Sequence, residues 1–208
     1  TLAITVGALT GALHANRKKF GVLGVLVIAF CTGLGGGAIR DTILATGTPA
    51  FLLNPQYMGS AVFGAVVGYF FARAASRLEP AYLLLDSLMI GFWVLLGCSH
   101  AEMLDLGVVP VIFVGVVSAT GGGLLRDVMC HDVPAVVRTG IWYSPAAFFA
   151  AVAWVSLEAT GLSIWLAQGA ALAVATITRL LSVRFGFRTP KPYDVSNQVL
   201  RVLHLNPR

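Results

Sequence analysis

Apolar residues along this chain gather in long blocks, set apart by short polar or Gly- and Pro-rich breaks. Seven blocks stand out, at 1–15, 20–45, 57–73, 81–99, 107–130, 140–157 and 163–182. An α-helix needs about 15–25 such residues to cross roughly 30 Å of hydrocarbon. Pro55, Pro80, Pro145 and the Gly-rich segments punctuate the blocks. A membrane barrel would show segments of about ten residues with alternating polarity, and none occurs. The pattern predicts an all-α transmembrane fold of seven helices. The first block is short and opens on Thr1, so part of the first span is expected to lie upstream.

Composition agrees with the pattern. Hydrophobic residues make up 57% of the 208 and charged residues 11%, with a mean hydropathy of +0.84. A water-soluble domain carries about 25% charged residues, so this chain cannot clothe a water-facing surface. Cys31, Cys98 and Cys130 lie in or beside apolar blocks. They read as small apolar fillers rather than a disulfide framework. Arg17, Lys18 and Lys19 follow the first block instead of preceding it, which is the wrong order for a secretory signal.

Charge placement tests the span count. With seven crossings, the loops after spans one, three, five and seven share a side. They hold Arg17, Lys18 and Lys19, then Arg73 and Arg77, then Arg138, then Arg184, Arg188 and Lys191. The opposite loops hold Glu102, Asp105 and Glu158 and no Lys or Arg. Positive loops face the cytosol, which predicts an outside N-terminus and a cytosolic C-terminus. The pI near 9.4 then reflects a basic belt against the membrane. No basic block suggests nucleic-acid binding.

An internal repeat organises the chain further. Shifting it by 86 residues aligns 1–45 with 87–131, matching Leu9/Leu95, Gly11/Gly97, His14/His100 and Gly21/Gly107. Gly35-Gly36-Gly37-Ala38-Ile39-Arg40-Asp41 falls on Gly121-Gly122-Gly123-Leu124-Leu125-Arg126-Asp127, and after one deletion Pro49/Pro134 and Phe63/Phe148 continue the register. Spans one to three thus recur as four to six, at 1–80 and 81–160. Span seven (161–183) and a basic tail (184–208) follow. Three spans is an odd number, so the second copy enters the membrane inverted. That is a transporter-like architecture, with its site near the midplane.

Three glycines within a span cost about 1 kcal/mol each against alanine. The reading favoured here is a helix broken at each triplet, with freed carbonyls facing a water-filled cavity. Close helix packing is the competing explanation. Arg40, Asp41, Arg126 and Asp127 are ionisable residues inside apolar blocks, which marks function by default. Each Arg alternatively snorkels to the nearer interface while its Asp pairs locally. Asp86 opens span four, either as a cation-attracting acid at a mouth or as a helix N-cap. Thr10, Thr32, Ser118 and Thr120 are the hydroxyls closest to the expected breaks. Gly7/Gly11 and Gly64/Gly68 read as helix-packing faces. No metal site is expected, because His14 and His100 end on opposite faces. No nucleophile–base or paired-carboxylate set falls at one depth, so an enzyme is not expected.

Two GGGxxRD segments in a 3+3+1 chain resemble the prokaryotic branch of the trimeric intracellular cation (TRIC) channel family. The resemblance runs from the first span through Arg184-Phe185-Gly186-Phe187-Arg188. It implies a homotrimer with a pore in each protomer, passing K⁺ and other monovalent cations, with Gly35–Gly37 and Gly121–Gly123 as kinks at the pore. The expected function is a monovalent cation channel built from spans one, two, four and five. It needs no cofactor beyond permeant K⁺ or Na⁺ and bound lipid, in a prokaryotic plasma membrane. The alternative is a secondary transporter of a small solute such as an amino acid. A non-conducting lipid-binding scaffold is a third reading.

Overall fold

The computed structural model describes residues 1–71, 79–137 and 142–189, without the side chains of 79–82. Arg73, Arg77, Arg138 and the tail from 190 onward lie outside the described residues. These residues form eight helices: α1 (Leu2–Arg17), α2 (Val22–Ile43), α3 (Ala50–Leu53), α4 (Pro55–Phe70), α5 (Glu79–Glu102), α6 (Val108–Met129), α7 (Ser144–Glu158) and α8 (Ile164–Phe185). No strand is present among the described residues. Seven helices fall on the seven apolar blocks, and α3 is a single extra turn in the loop after α2. Val22–Ile43, Leu83–Glu102, Val108–Met129 and Ile164–Phe185 are long and apolar enough to cross a bilayer. The protein is an integral membrane protein.

Local signals set the helix ends. The Asn54 side chain accepts from Gln56 N at 3.0 Å, and Pro55 occupies the first turn of α4, where its missing N–H costs nothing. Gly186 takes a left-handed φ of 67° to close α8. Several ends recur at the 86-residue spacing. Gly21 and Gly107 precede α2 and α6 with φ of −67° and −66°. Positive φ occurs at Lys19 (60°) and Asp105 (52°), and again at Ala45 (50°) and His131 (58°).

Packing gives two cores. Ile4, Ala8, Ala12, Val25, Ile28, Ala61 and Ala65 form one, among α1, α2 and α4. Ile90, Val94, Val111, Ala147, Ala151, Trp154 and Ala171 form the other, among α5 to α8. Small residues make these seams, as expected where lipid supplies no hydrophobic drive between helices. A Cβ on Gly64 would strike Thr5 O, and one on Gly68 would come within 2.5 Å of Ala12 Cβ, so α1 and α4 touch nearly backbone to backbone. The packing role expected of Gly64/Gly68 is what the structure shows.

The two cores meet where α2 crosses α6, and here one expectation is corrected. Both triplets lie in uninterrupted helix, within 22–43 and 108–129. Neither helix is interrupted at its triplet. A Cβ on Gly36 would collide with Ser118 O, and one on Gly122 with Thr32 O. A Cβ on Gly35 would meet Leu125 Cδ1 at 2.6 Å, and one on Gly121 would meet Ile39 Cδ1 at 2.9 Å. These four glycines bring two helices together, and close packing compensates for their low helix propensity. A helix that keeps its own hydrogen bonds leaves nothing for lipid to satisfy.

Candidate functional site

Three cavities lie one after another along α1. The first, of about 160 Å³, is lined by Thr1, Ala3 and Ile4 of α1, with Arg40, Asp41, Phe51, Tyr57, Trp93 and His100 opposite. The second, of about 30 Å³, takes Gly7 and Thr10 from α1. Thr32 and Gly36 of α2, Asp86 and Trp93 of α5, and Ser118, Gly122 and Arg126 of α6 complete it. The third, of about 430 Å³, is lined by His14, Arg17, Lys18, Arg126, Asp127 and Asp132. Trp93 borders the first two and Arg126 the last two. From Thr1 to Lys18 a helix rises about 25 Å, most of a hydrocarbon thickness. The central cavity, of about 30 Å³, is the smallest of the three.

The helices bring the expected hydroxyls unequally to this line. Thr10 donates to Gly7 O at 2.8 Å and Thr32 to Ile28 O at 2.6 Å. Their protons satisfy their own helices and leave oxygen lone pairs for the central cavity. Ser118 Oγ is buried on the same cavity and has no hydrogen-bond partner among the described residues. Thr120 is also buried, donates to Val116 O at 2.8 Å and lines none of the three cavities. Gly37 borders the first cavity and Gly123 the central one. Gly35 and Gly121 serve the helix crossing.

The two Arg-Asp pairs share one geometry. Arg40 donates from Nε and Nη2 to Asp41 Oδ1 at 2.8 and 2.6 Å, and Asp41 Oδ2 accepts from Ala50 N at 2.9 Å. Arg126 contacts Asp127 Oδ1 at 2.8 and 2.7 Å, and Asp127 Oδ2 accepts from Ala135 N at 3.0 Å. Each Asp therefore balances its neighbour's charge and ties down the loop after its helix. Arg40 does not reach out to an interface: it is 4% exposed and borders the first cavity. Asp86 is no N-cap, because α5 begins at Glu79, two turns before it. Its carboxylate lines the central cavity, 3.9 Å from Nη2 of Arg179.

Sequence reasoning passed over several of these groups. Arg179 is an ionisable residue inside an apolar block, the signal that singled out Arg40, and it was there to be found. Trp93, Tyr57 and Tyr143 border the cavities without any pattern that separates them from core aromatics. At the wide end, Asp132 accepts from Lys18 and pairs with His14 Nε2 at 2.8 Å. These bonds, Lys18 first and His14 second, hold the Asp132 carboxyl below the usual carboxylate range.

A membrane bundle with a file of cavities along one helix belongs to the class of channels and transporters. The chain matches the family model described as "Glycine transporter" over residues 1–73 and 83–159. It is 32% identical to a UPF0126 membrane protein of Deinococcus radiodurans over 191 residues, 91% of this chain and 88% of that one. A UPF0126 membrane protein of Streptomyces coelicolor, SCO4104, is 38% identical over 185 residues, covering 88% and 84%. Among solved structures, the fold is similar to a TRIC trimeric intracellular cation channel orthologue from Rhodobacter sphaeroides. That match has a TM-score of 0.82 at 33% identity and covers 89% of this chain and 95% of the other. A second TRIC cation channel structure matches with a TM-score of 0.87 at 26% identity, covering 93% and 95%. The chain belongs to this family, the prokaryotic TRIC-like UPF0126 proteins.

Proposed function

We propose that the protein is a cation channel that passes monovalent cations, K⁺ among them, through the file of cavities inside each protomer of a homotrimer. One observation carries this reading: α1 lines three cavities in succession, from Thr1 to Lys18, with bare hydroxyl oxygens at the smallest. Oxygen lone pairs there replace part of a cation's hydration shell. α1, α2, α5 and α6, the first, second, fourth and fifth spans, supply most of the lining. The trimer rests on the solved relative, which is a trimeric intracellular cation channel orthologue.

The seven long helices act as a 3+3 inverted repeat, 1–80 and 81–160, plus α8. The shared backbone features 86 residues apart and the two matched stretches of the family model support this. The positive loops orient the N-terminus outward and the C-terminus to the cytosol. The 160 Å³ cavity is then an outer vestibule and the 430 Å³ cavity a cytosolic one.

A second reading has its own support. The family model is described as "Glycine transporter", and the 160 Å³ cavity sets Arg40 among Phe51, Tyr57 and Trp93, a fit for a small amino acid. Ser118→Ala separates the two. It removes the oxygen from the central cavity and adds no bulk there. In a channel, unitary conductance falls about threefold or more, since an apolar constriction favours dewetting. An unchanged conductance, or a loss of saturable solute uptake in its place, contradicts the channel reading.

A further inference from the structure

α8 brings a charge, Arg179, to within 3.9 Å of Asp86, which lines the central cavity. Arg179 lies inside this apolar helix, more than a turn before its end at Phe185. Nη1 donates to Trp142 O at 3.3 Å, and the guanidinium sits 5.2 Å from the centre of the Tyr143 ring. Nε is buried and has no hydrogen-bond partner among the described residues. Ser182, one turn further on and fully buried, accepts from Trp142 N at 2.8 Å and donates to Phe187 O at 3.2 Å. The backbone at Trp142 therefore fixes Arg179, and Asp86 does not need to.

Asp86 differs from the other two intramembrane carboxylates. Asp41 and Asp127 each have one oxygen held by their own Arg and the other by a loop amide. Asp86 sits 3.9 Å from Arg179, within ion-pair range but too far for a hydrogen bond. No donor reaches its carboxylate among the described residues. It is also the acidic residue that lines the central cavity, which Thr10, Thr32 and Ser118 line too. A bare carboxylate there would hold a cation too tightly to release it, and conduction needs binding that is also weak enough to leave. The positive charge of Arg179, 3.9 Å from the carboxylate, offsets part of that attraction, beside that of Arg126, which lines the same cavity.

We propose that Asp86 is the cation-binding carboxylate of the central cavity, and that Arg179 is a tethered counter-charge that lowers its affinity so that a monovalent cation binds and leaves. This rests on the cation-channel reading. The test is the dependence of unitary conductance on K⁺ concentration in planar bilayers. The proteins compared are the full-length wild type, Arg179→Gln, Arg179→Lys, Asp86→Asn and the double variant Arg179→Gln/Asp86→Asn.

Arg179→Gln is expected to lower the half-saturating K⁺ concentration about threefold or more, and to lower the maximal conductance with it. Asp86→Asn is expected to raise the half-saturating concentration about threefold or more, and the double variant to follow Asp86→Asn. Arg179→Lys keeps the charge and is expected to stay within about twofold of wild type. A purely structural ion pair would change yield or thermal stability and leave the half-saturating concentration alone, which overturns the proposal. If Arg179→Gln fails to assemble, Asp86→Asn decides on the same criterion. A wild type that conducts beside variants that titrate identically sinks this inference and leaves the channel standing. A silent wild type sinks both.

Discussion

Gly36 and Gly122 are the residues on which the crossing of α2 and α6 turns. Each faces a backbone carbonyl of the other helix, so a methyl group on either meets an atom that cannot rotate away. Gly36→Ala or Gly122→Ala should destabilise the protein by about 1–3 kcal/mol, the usual range for overpacking. Gly169→Ala, on α8 with open space around its Cβ position, should be neutral or slightly stabilising. Thermal unfolding followed by size-exclusion chromatography separates these outcomes, and an unaltered midpoint for Gly36→Ala would contradict the packing account. The triplets were visible in the sequence as a pair, yet their role was not. Three glycines look alike whether they break a helix or admit a neighbour, and only the facing backbone distinguishes the cases. The Arg-Asp pairs raise the same difficulty. Adjacent positions rarely face each other on a helix, but here Arg40 and Arg126 each fold back onto the next residue.

At the scale of elements, block lengths and breaks were enough to locate seven helices, because a span in lipid must be long, apolar and internally hydrogen-bonded. The offset of 86 residues likewise paired Gly21 with Gly107, and in the structure each precedes its helix as the N-cap. Contacts between the two halves were not legible. One of them is the latch that joins the end of α1 to the loop after α6, through Lys18, His14 and Asp132. Lys18 and His14 depress the Asp132 carboxyl, so the folded protein binds its proton less readily than the unfolded chain does. Such a group contributes stability above its unfolded value, near pH 4, and loses it as pH falls through the lower folded value. The latch should therefore be whole at neutral pH and fail only in acid. Asp132→Asn should lower the melting midpoint at pH 7, and the gap to wild type should close below about pH 4. The gap should also narrow at high salt, because the site is exposed. A gap that does not shrink as pH falls below about 4 would show that Asp132 acts through something other than these ion pairs.

At the scale of the whole molecule, fold and charge work together. Two three-helix units meet at a glycine crossing, and α8 closes the second unit by packing on α5 and α7. The cavities along α1 hold about 30 Å³ at the centre and about 160 and 430 Å³ at the two ends. The span count was legible in the apolar blocks, and the TRIC-like family in the paired GGGxxRD segments. The contribution of α8 was not, because Arg179 has no counterpart in the repeat to draw attention to it. The central claim is that the file of cavities conducts cations, and a reversal potential tests it most directly. Purified protein in a planar bilayer under a KCl gradient should give unitary current steps that reverse near the K⁺ equilibrium potential. A silent bilayer, with saturable glycine uptake by liposomes holding the same preparation, would contradict the account and make the protein a transporter.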